Sequence, residues 1–178
     1  MTVYVRDARS ADLDAIAAIY NDQGVATTAS YDLEPVSVEN RRIWHSEHLA
    51  AGYPVLVATR VSADAGDTEE VLGFATYGSF RLKLGYRYTV EHSVYVRADQ
   101  HGRGVGRALM TELIARARAA RLHAMIGVVG ADNTDSRAFH VSLGFVESGT
   151  LPEVGTKFGR WLSIVLPVLL LTEDVPAD

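Results

Sequence analysis

Between Val94 and Leu113 the chain reads VYVRADQHGRGVGRALMTEL, and its centre, His101-Gly102-Arg103-Gly104-Val105-Gly106-Arg107, has the make-up of an anion-binding turn. Glycines let a backbone turn tightly and approach a ligand with no side chain in the way. A helix that opens directly after such a turn leaves its first N–H groups unpaired, with the positive end of its dipole behind them. Together these features predict a pocket for a pyrophosphate, aided by the guanidinium of Arg103 or Arg107. The turn is not a Walker loop, since no Gly-Lys-Ser/Thr ending follows. Nor is it a dinucleotide fingerprint, since the glycine spacing differs and no βαβ repeat surrounds it. Taken alone, the same residues also suit a plain glycine turn with no ligand.

Other chemistries find less support. His45 and His48 share a helical face, but no third ligand stands at metal spacing, so no metal is expected. Asp132 and Asp135 flank a turn and read as helix caps. No Gly-x-Ser-x-Gly elbow is present. The chain has no cysteine, which excludes disulfides, thiolate metal sites and cysteine nucleophiles.

The elements that must position the glycine turn follow from periodicity. Val3–Arg6 reads as a first strand. Ser10 is placed to cap a helix carrying Leu13, Ile16, Ala17 and Tyr20 on one face, with Asp12 and Asp14 in its first turn. Ser37 is placed to cap a second helix through Ile43, Trp44 and Leu49, which Gly52 and Pro54 end. Val55–Thr59 and Val71–Tyr77 read as antiparallel strands joined by the acidic link SADAGDTEE, a solvated hairpin loop. Tyr88–Val96 is a long strand rich in β-branched and aromatic residues. The helix after the glycine turn, Val105–Ala120, repeats apolar residues at Leu109, Met110, Leu113, Ile114 and Ala117. Ala124–Val129 is a buried strand, Ser136–Leu143 a short helix stopped by Gly144, and Phe145–Ser148 and Trp161–Leu166 the last strands. The order β-α-α-β-β-β-α-β-α-β-β predicts an α+β fold around a central mixed sheet.

With 178 residues, the chain (1–178) suits a single domain with a proper core. Apolar residues make up 48% and charged residues 22%, the balance of an ordinary soluble protein. A formal net charge of −5 gives no electrostatic case for nucleic acid, which needs a concentrated basic face. The N-terminus lacks the apolar core of a signal peptide. The most apolar stretch, Trp161–Leu171, is far shorter than the roughly 20 residues needed to cross a bilayer. A cytoplasmic protein with no membrane partner is therefore expected.

The strand, glycine turn and amphipathic helix resemble the acetyl-CoA signature of the GNAT superfamily, whose usual pattern is Gln/Arg-x-x-Gly-x-Gly/Ala. Gly104 and Gly106 match it, and His101 stands at the Gln/Arg position. Downstream, Asn133-Thr-Asp-Ser136 resembles the family's Asn-x-x-Ala/Ser element, and His140-Val-Ser-Leu-Gly144-Phe145 its Tyr-x-x-x-Gly-Phe element. The resemblance implies a GNAT fold, with a central, mixed and mostly antiparallel sheet flanked by helices, and acetyl-CoA as co-substrate. Val94, Tyr95 and Val96 would then line the pantetheine arm, Gly102 to Arg107 the pyrophosphate. Asn133, Ser136 and Ser142 would lie along the cofactor, Asn133 near its thioester end.

A closer resemblance covers nearly the whole chain. ASYDLEPVSVENRRIW, AGYPVLVA, YRYTVEHSVYV and VGTKFGRWL look like the phosphinothricin and methionine sulfoximine N-acetyltransferase branch. That branch acetylates the α-amino group of glutamate-like or methionine-like compounds and is dimeric, so a homodimer acting on a small amine is expected. Such an amine, with a pKa of roughly 8, is mostly protonated at neutral pH and needs a base. Glu91 matches the branch's catalytic glutamate; the alternative is a structural carboxylate paired with Arg87 or His92. His140 stands where many superfamily members have a tyrosine, and could supply a proton to the departing thiolate, fix the cofactor, or pack at a helix end. Substrate selectivity is expected from Phe80–Tyr86, including Leu84, Gly85 and Tyr86, and from Lys157–Trp161. Arg81 is the first candidate to bind a substrate carboxylate, with Lys157 and Arg160 next. Tyr31 and Trp44 would wall the pocket, core packing being equally expected for Trp44. Direct attack in a ternary complex is expected, because the commonest acyl-carrying nucleophile, cysteine, is absent. Ser163 departs from the branch's aspartate. Pro167 cannot donate to a ladder and predicts that the final strand ends, or lies at an edge, there. Two rival readings share the scaffold: a protein or peptide N-terminal acetyltransferase, and a non-catalytic acyl-CoA sensor.

Overall fold

The computed structural model describes residues 2–62 and 68–172. Its contacts divide into two units, Met1–Thr76 with Ser93–Leu113, and Tyr77–His92 with Ile114–Asp178.

In the first unit, β1 (Tyr4–Asp7) pairs antiparallel with β2 (Val55–Ser62), and β2 with β3 (Thr68–Ser79). The centre of the acidic link, 63–67, lies outside the described residues. Its last residues, Glu69 and Glu70, belong to β3 rather than to a loop. Arg6 grips the Glu69 carboxylate with Nε and Nη2 (2.9 and 2.8 Å), and Arg60 and Arg97 both bind Glu70. Cross-strand pairs of opposite charge support a strand where composition alone suggested a turn.

Helix α1 (Leu13–Tyr20) follows a 3-10 turn at Ser10–Asp12. Ser10 does not cap it. Asp12 is the N-cap residue, yet its carboxylate makes no capping bond to α1; it accepts the Arg9 N–H (2.6 Å) and two bonds from Arg6 (2.7 and 3.0 Å), which fix the entry to the helix. Leu13, Ile16 and Ile19 close over Val55, Val57, Val71 and Phe74, each fully buried side chain contributing about 1.5–3 kcal/mol. Ser37 caps α2 (Val38–Ala50) as expected, accepting the Asn40 N–H at 3.1 Å. The buried side of α2 is Arg41 and His45, with Trp44 half-buried against Phe74. Ile43 and Leu49 are exposed. The long amphipathic stem of Arg41 fills space that an aliphatic side chain could otherwise take.

Strand β4 (Thr89–Val96) and helix α3 (Val105–Ala119) each contribute residues to both units. The α3 stripe of Leu109, Met110, Leu113, Ile114 and Ala117 is buried as its spacing predicts.

In the second unit β4 runs parallel to β5 (Ala124–Ile126), with Glu91 opposite Ile126. The expected strand Ala124–Val129 is broken at Gly127-Val128 into β5 and β6 (Val129–Gly130). Helix α4 (Thr134–Ser142) starts before Ser136, because Asn133 is its cap: its Oδ1 accepts the Ser136 N–H at 3.0 Å. Asp132, expected as a cap, pairs with Arg160 instead (3.1 Å), and Asp135 lies inside the first turn. Strands β7 (Val146–Lys157) and β8 (Arg160–Leu170) are longer than the expected Phe145–Ser148 and Trp161–Leu166, and meet at a tight turn with Phe158 and Gly159 at φ 52 and 72. Strand β8 pairs antiparallel with β5, β6 and β7.

Strand β8 does not end at Pro167. Pro167 sits opposite Glu147, where β7 changes register before Thr150, and its carbonyl accepts the Gly127 N–H at 2.9 Å. A bulge in the partner absorbs the missing donor. Of the strand pairings named above only β4–β5 is parallel, so the expected α+β arrangement with a mixed, mostly antiparallel sheet is what the chain forms.

Candidate active site

The glycine turn lies in the first unit. Beyond β4 the Arg97 guanidinium is held by Glu70 and Asp99, and a 3-10 turn at Ala98–Gln100 leads into His101. Gly102 and Gly104 adopt φ of 72 and 83, a conformation that side-chain-bearing residues resist, and a Cβ at either would meet no protein atom within 4 Å. Ala108 closes the first helical bond, donating to Gly104 O at 2.9 Å, so the N–H groups of Val105 and Gly106 project from the end of α3. The Val105 side chain is buried and leaves only its backbone for a ligand, while Arg103 and Arg107 extend into solvent. Free backbone donors, open space and two cations suit the pyrophosphate of acetyl-CoA.

The strand leading there is less available than expected. His101 donates from Nε2 to the Val96 carbonyl (2.9 Å), which occupies a group expected for the pantetheine arm. The Tyr95 side chain belongs to the core, stacked on Phe74 (5.4 Å) and edge-on to Tyr20 (5.2 Å), leaving only its backbone. Tyr31 is half-buried between Ser30 and Asp32, which bind the Tyr20 hydroxyl at 2.8 and 2.6 Å. Beside them Arg41, buried and 4.8 Å from both the Tyr20 and Trp44 rings, bonds to Asn40 Oδ1. The sequence did not single it out, since an arginine on an amphipathic helix reads as surface. An open groove of about 440 Å³ runs past Ala15, Ala18, Ile19 and Ala98 and contains none of the expected site residues.

In the second unit, Glu91 is half-buried on β4 and makes no hydrogen bond or ion pair among the described residues. Neither alternative partner holds it. Arg87 donates to Leu84 O (3.4 Å) and stacks on Tyr88, while His92 is buried among His140 and Phe145. Burial pushes the Glu91 carboxyl above its usual range, and the positive charge of Arg81 acts in the opposite sense. Arg81 and Glu91 are thus electrostatic neighbours. The Arg81 guanidinium stacks on Phe80 (4.1 Å) and donates to the Phe80 carbonyl. Leu84 is almost fully exposed, a Cβ on Gly85 would meet nothing within 4 Å, and Tyr86 packs edge-on to Phe80 at 5.8 Å.

His140 is buried on α4 and its Nδ1–H donates to the Ser136 carbonyl at 2.6 Å. That bond fixes the tautomer, because a carbonyl can only accept. Burial lowers the proton affinity of the ring, so it is neutral near pH 7 and its Nε2 is a bare acceptor. In this state His140 has no proton at Nε2 to give, and an acid role requires that it first take one. Asn133 spends its Oδ1 on the cap, and Ser142 donates to the Phe139 carbonyl at 2.7 Å. Lys157 is buried at the foot of the β7–β8 turn, its Nζ 5.3 Å from the Phe158 ring, and Arg160 is engaged by Asp132. Among the described residues no group of three His, Asp or Glu side chains could hold a metal ion, and no helix is long and apolar enough to cross a membrane.

The family model described as "Acetyltransferase (GNAT) family" matches residues 15–145. The chain belongs to the GNAT acetyltransferase family. Over 171 residues it is 47% identical to an L-methionine sulfoximine/L-methionine sulfone acetyltransferase of Pseudomonas aeruginosa, covering 96% of each chain. Among solved structures, this GNAT chain is similar to a phosphinothricin acetyltransferase from Sinorhizobium meliloti in complex with acetyl-CoA: TM-score 0.87 and 35% identity, covering 100% of this chain and 93% of that one. It is also similar to a ribosomal-protein-alanine N-acetyltransferase from Brucella melitensis, with TM-score 0.87 and 43% identity over 94% of this chain and 99% of that one. As a GNAT member it is an acetyl-CoA-dependent N-acetyltransferase of α+β fold.

Proposed function

We propose that this enzyme acetylates the α-amino group of a small amino-acid-like substrate, of the methionine sulfoximine, methionine sulfone or phosphinothricin type, by direct attack on acetyl-CoA in a ternary complex. The observation that carries the reading is Glu91, a half-buried carboxyl with no partner among the described residues and a raised proton affinity, beside the Arg81 charge. Arg81 binds the substrate carboxylate, which leaves the ammonium for Glu91. Glu91 accepts a proton from it, directly or through a water, and frees the lone pair for attack. The N–H groups after Gly104 hold the donor's pyrophosphate. His140 Nε2, an acceptor at the start, takes a second proton from the attacking nitrogen and returns it to the departing sulfur, so the ring ends as it began. Bond making and proton bookkeeping then close with one net proton released.

The finer reading is a cytoplasmic homodimer that engages neither nucleic acid nor membrane. Absence of cysteine, the net charge of −5 and the exposed rings of Phe158 and Trp161 on one hairpin support it. Sedimentation at micromolar concentration should give twice the chain mass.

The deciding experiment is thiol release from acetyl-CoA with a panel of amines: methionine sulfoximine, methionine sulfone, phosphinothricin, common amino acids, a polyamine, an aminoglycoside and an alanine-starting peptide. Saturable turnover confined to amino-acid analogues, lost with their carboxamides, is expected. Turnover on the peptide alone would transfer the reading to protein N-termini, which the Brucella melitensis similarity makes the specific rival. Tight cofactor binding without turnover would leave only a sensor.

A further inference from the structure

Two imidazoles meet over one glycine in the second unit. His92, on β4, and His140, on α4, lie with ring centroids 5.1 Å apart, tilted by 31°, and both pack on Phe145 at 5.3 Å. A Cβ built on Gly127 would stand 3.0 Å from His92 Nε2, 3.3 Å from His140 Nε2 and 3.1 Å from Pro167 Cγ. Both Nε2 atoms therefore converge on a point that only a missing side chain leaves open. Each ring is more than nine-tenths buried, and among the described residues neither Nε2, nor His92 Nδ1, has a hydrogen-bond partner. A buried polar nitrogen without a partner costs about 1–3 kcal/mol, so three of them in one place are not explained by stability. An aromatic or aliphatic residue at 92 would fill the volume more favourably.

We propose that His92 is a positioning residue for His140. It faces the His140 ring from β4 and fixes the direction of its Nε2, while Gly127 supplies the clearance. The role rests on the reading in which His140 takes part in acetyl transfer. His140 is held on one side by its Nδ1–H bond to Ser136 O, which fixes the tautomer but leaves the ring free to swing about that bond. Phe139, Phe145 and His92 pack against the ring, and His92 alone among them is polar. Burial disfavours the charged form of both rings, so the pair is neutral near pH 7 and His92 acts by geometry rather than charge.

The test compares His92→Phe, His92→Gln and His92→Asn with His140→Phe, reading kcat, KM for each substrate, and melting temperature. Gln carries a nitrogen about as far out as Nε2, and Asn only as far as Nδ1. The expected result is a kcat about ten- to hundredfold lower in His92→Phe, with KM for acetyl-CoA within about twofold, and a partial recovery in His92→Gln that His92→Asn does not match. Gly127→Ala, which pushes both rings, should lower kcat likewise. Should His92→Phe fail to fold, the Gln and Asn pair decides. Equal losses in the two that follow melting temperature would reduce His92 to a structural role. Full kcat in His92→Phe with a slow His140→Phe would overturn the positioning inference alone, whereas full kcat in His140→Phe would remove His140 from the reaction and this inference with it.

Discussion

At the scale of single residues, Glu91 couples function to stability with a definite sign. Its carboxyl binds protons more tightly folded than unfolded, so between the ordinary value of 4.5 and the raised one the native state holds more protons. Stability must then fall as pH rises through that window. Glu91→Gln should therefore melt higher than wild type at pH 7, the difference vanishing below the ordinary carboxyl range, while turnover drops by about a hundredfold or more and acetyl-CoA affinity stays. Calorimetry across pH beside steady-state kinetics checks both halves. Unchanged turnover would dismiss Glu91 as the base. Glu91 could be picked out from sequence because its neighbours form a contiguous motif. His92 could not: Gly127 and His140 lie 35 and 48 positions further on, and only the folded chain shows that the three converge. Arg41 was missed for another reason, since nothing in a helical pattern separates a solvated arginine from one sandwiched between two rings.

At the scale of elements, the buried faces of helices were legible where aliphatic periodicity was complete, as in α1 and α3, and not where long polar side chains form the buried row, as in α2. The strands were located by their apolar centres but cut short, because cross-strand pairing extends β2, β3 and β7 through residues whose composition suggests turns and carries β8 past Pro167. The turn after β4 can be tested as a unit. Gly104→Val forces a branched side chain into φ 83 and into the space above the α3 N-terminus, so acetyl-CoA binding by titration calorimetry should be lost while the fold persists. Gly73 makes the opposite demand. A Cβ there would lie 2.7 Å from Tyr95 O, a backbone atom that cannot step aside, so Gly73→Ala should destabilise by about 1–3 kcal/mol and lower the melting temperature.

For the molecule as a whole, acid should act in two stages. Burial holds His92 down to about 3 from its ordinary 6.5, and His140 in the same direction. The unfolded chain takes up those protons first, so stability declines as pH falls below 6.5. Glu69 is lowered to about 2 from 4.5 by Arg6 and Thr59, and that contribution is present above 4.5 and lost on the way down to 2. Melting temperature against pH should show both descents, and His92→Phe should flatten the first. Fold class and enzyme family were both readable from the chain. The clearances between side chains were not, being set by packing at tenths of an ångström. One last feature concerns what the molecule avoids. Strand β7 has β8 as its only strand partner among the described residues and exposes Val146, Leu151 and Val154. A straight apolar edge of that length invites other copies to add themselves in an open-ended stack. Here Pro152 offers no donor, Glu153 turns left-handed at φ 52 with its N–H given to Ser163 Oγ, and the register slips twice. Irregularity is what keeps this margin from being copied, and replacing Pro152 and Glu153 together by threonine should turn a clear solution cloudy on standing.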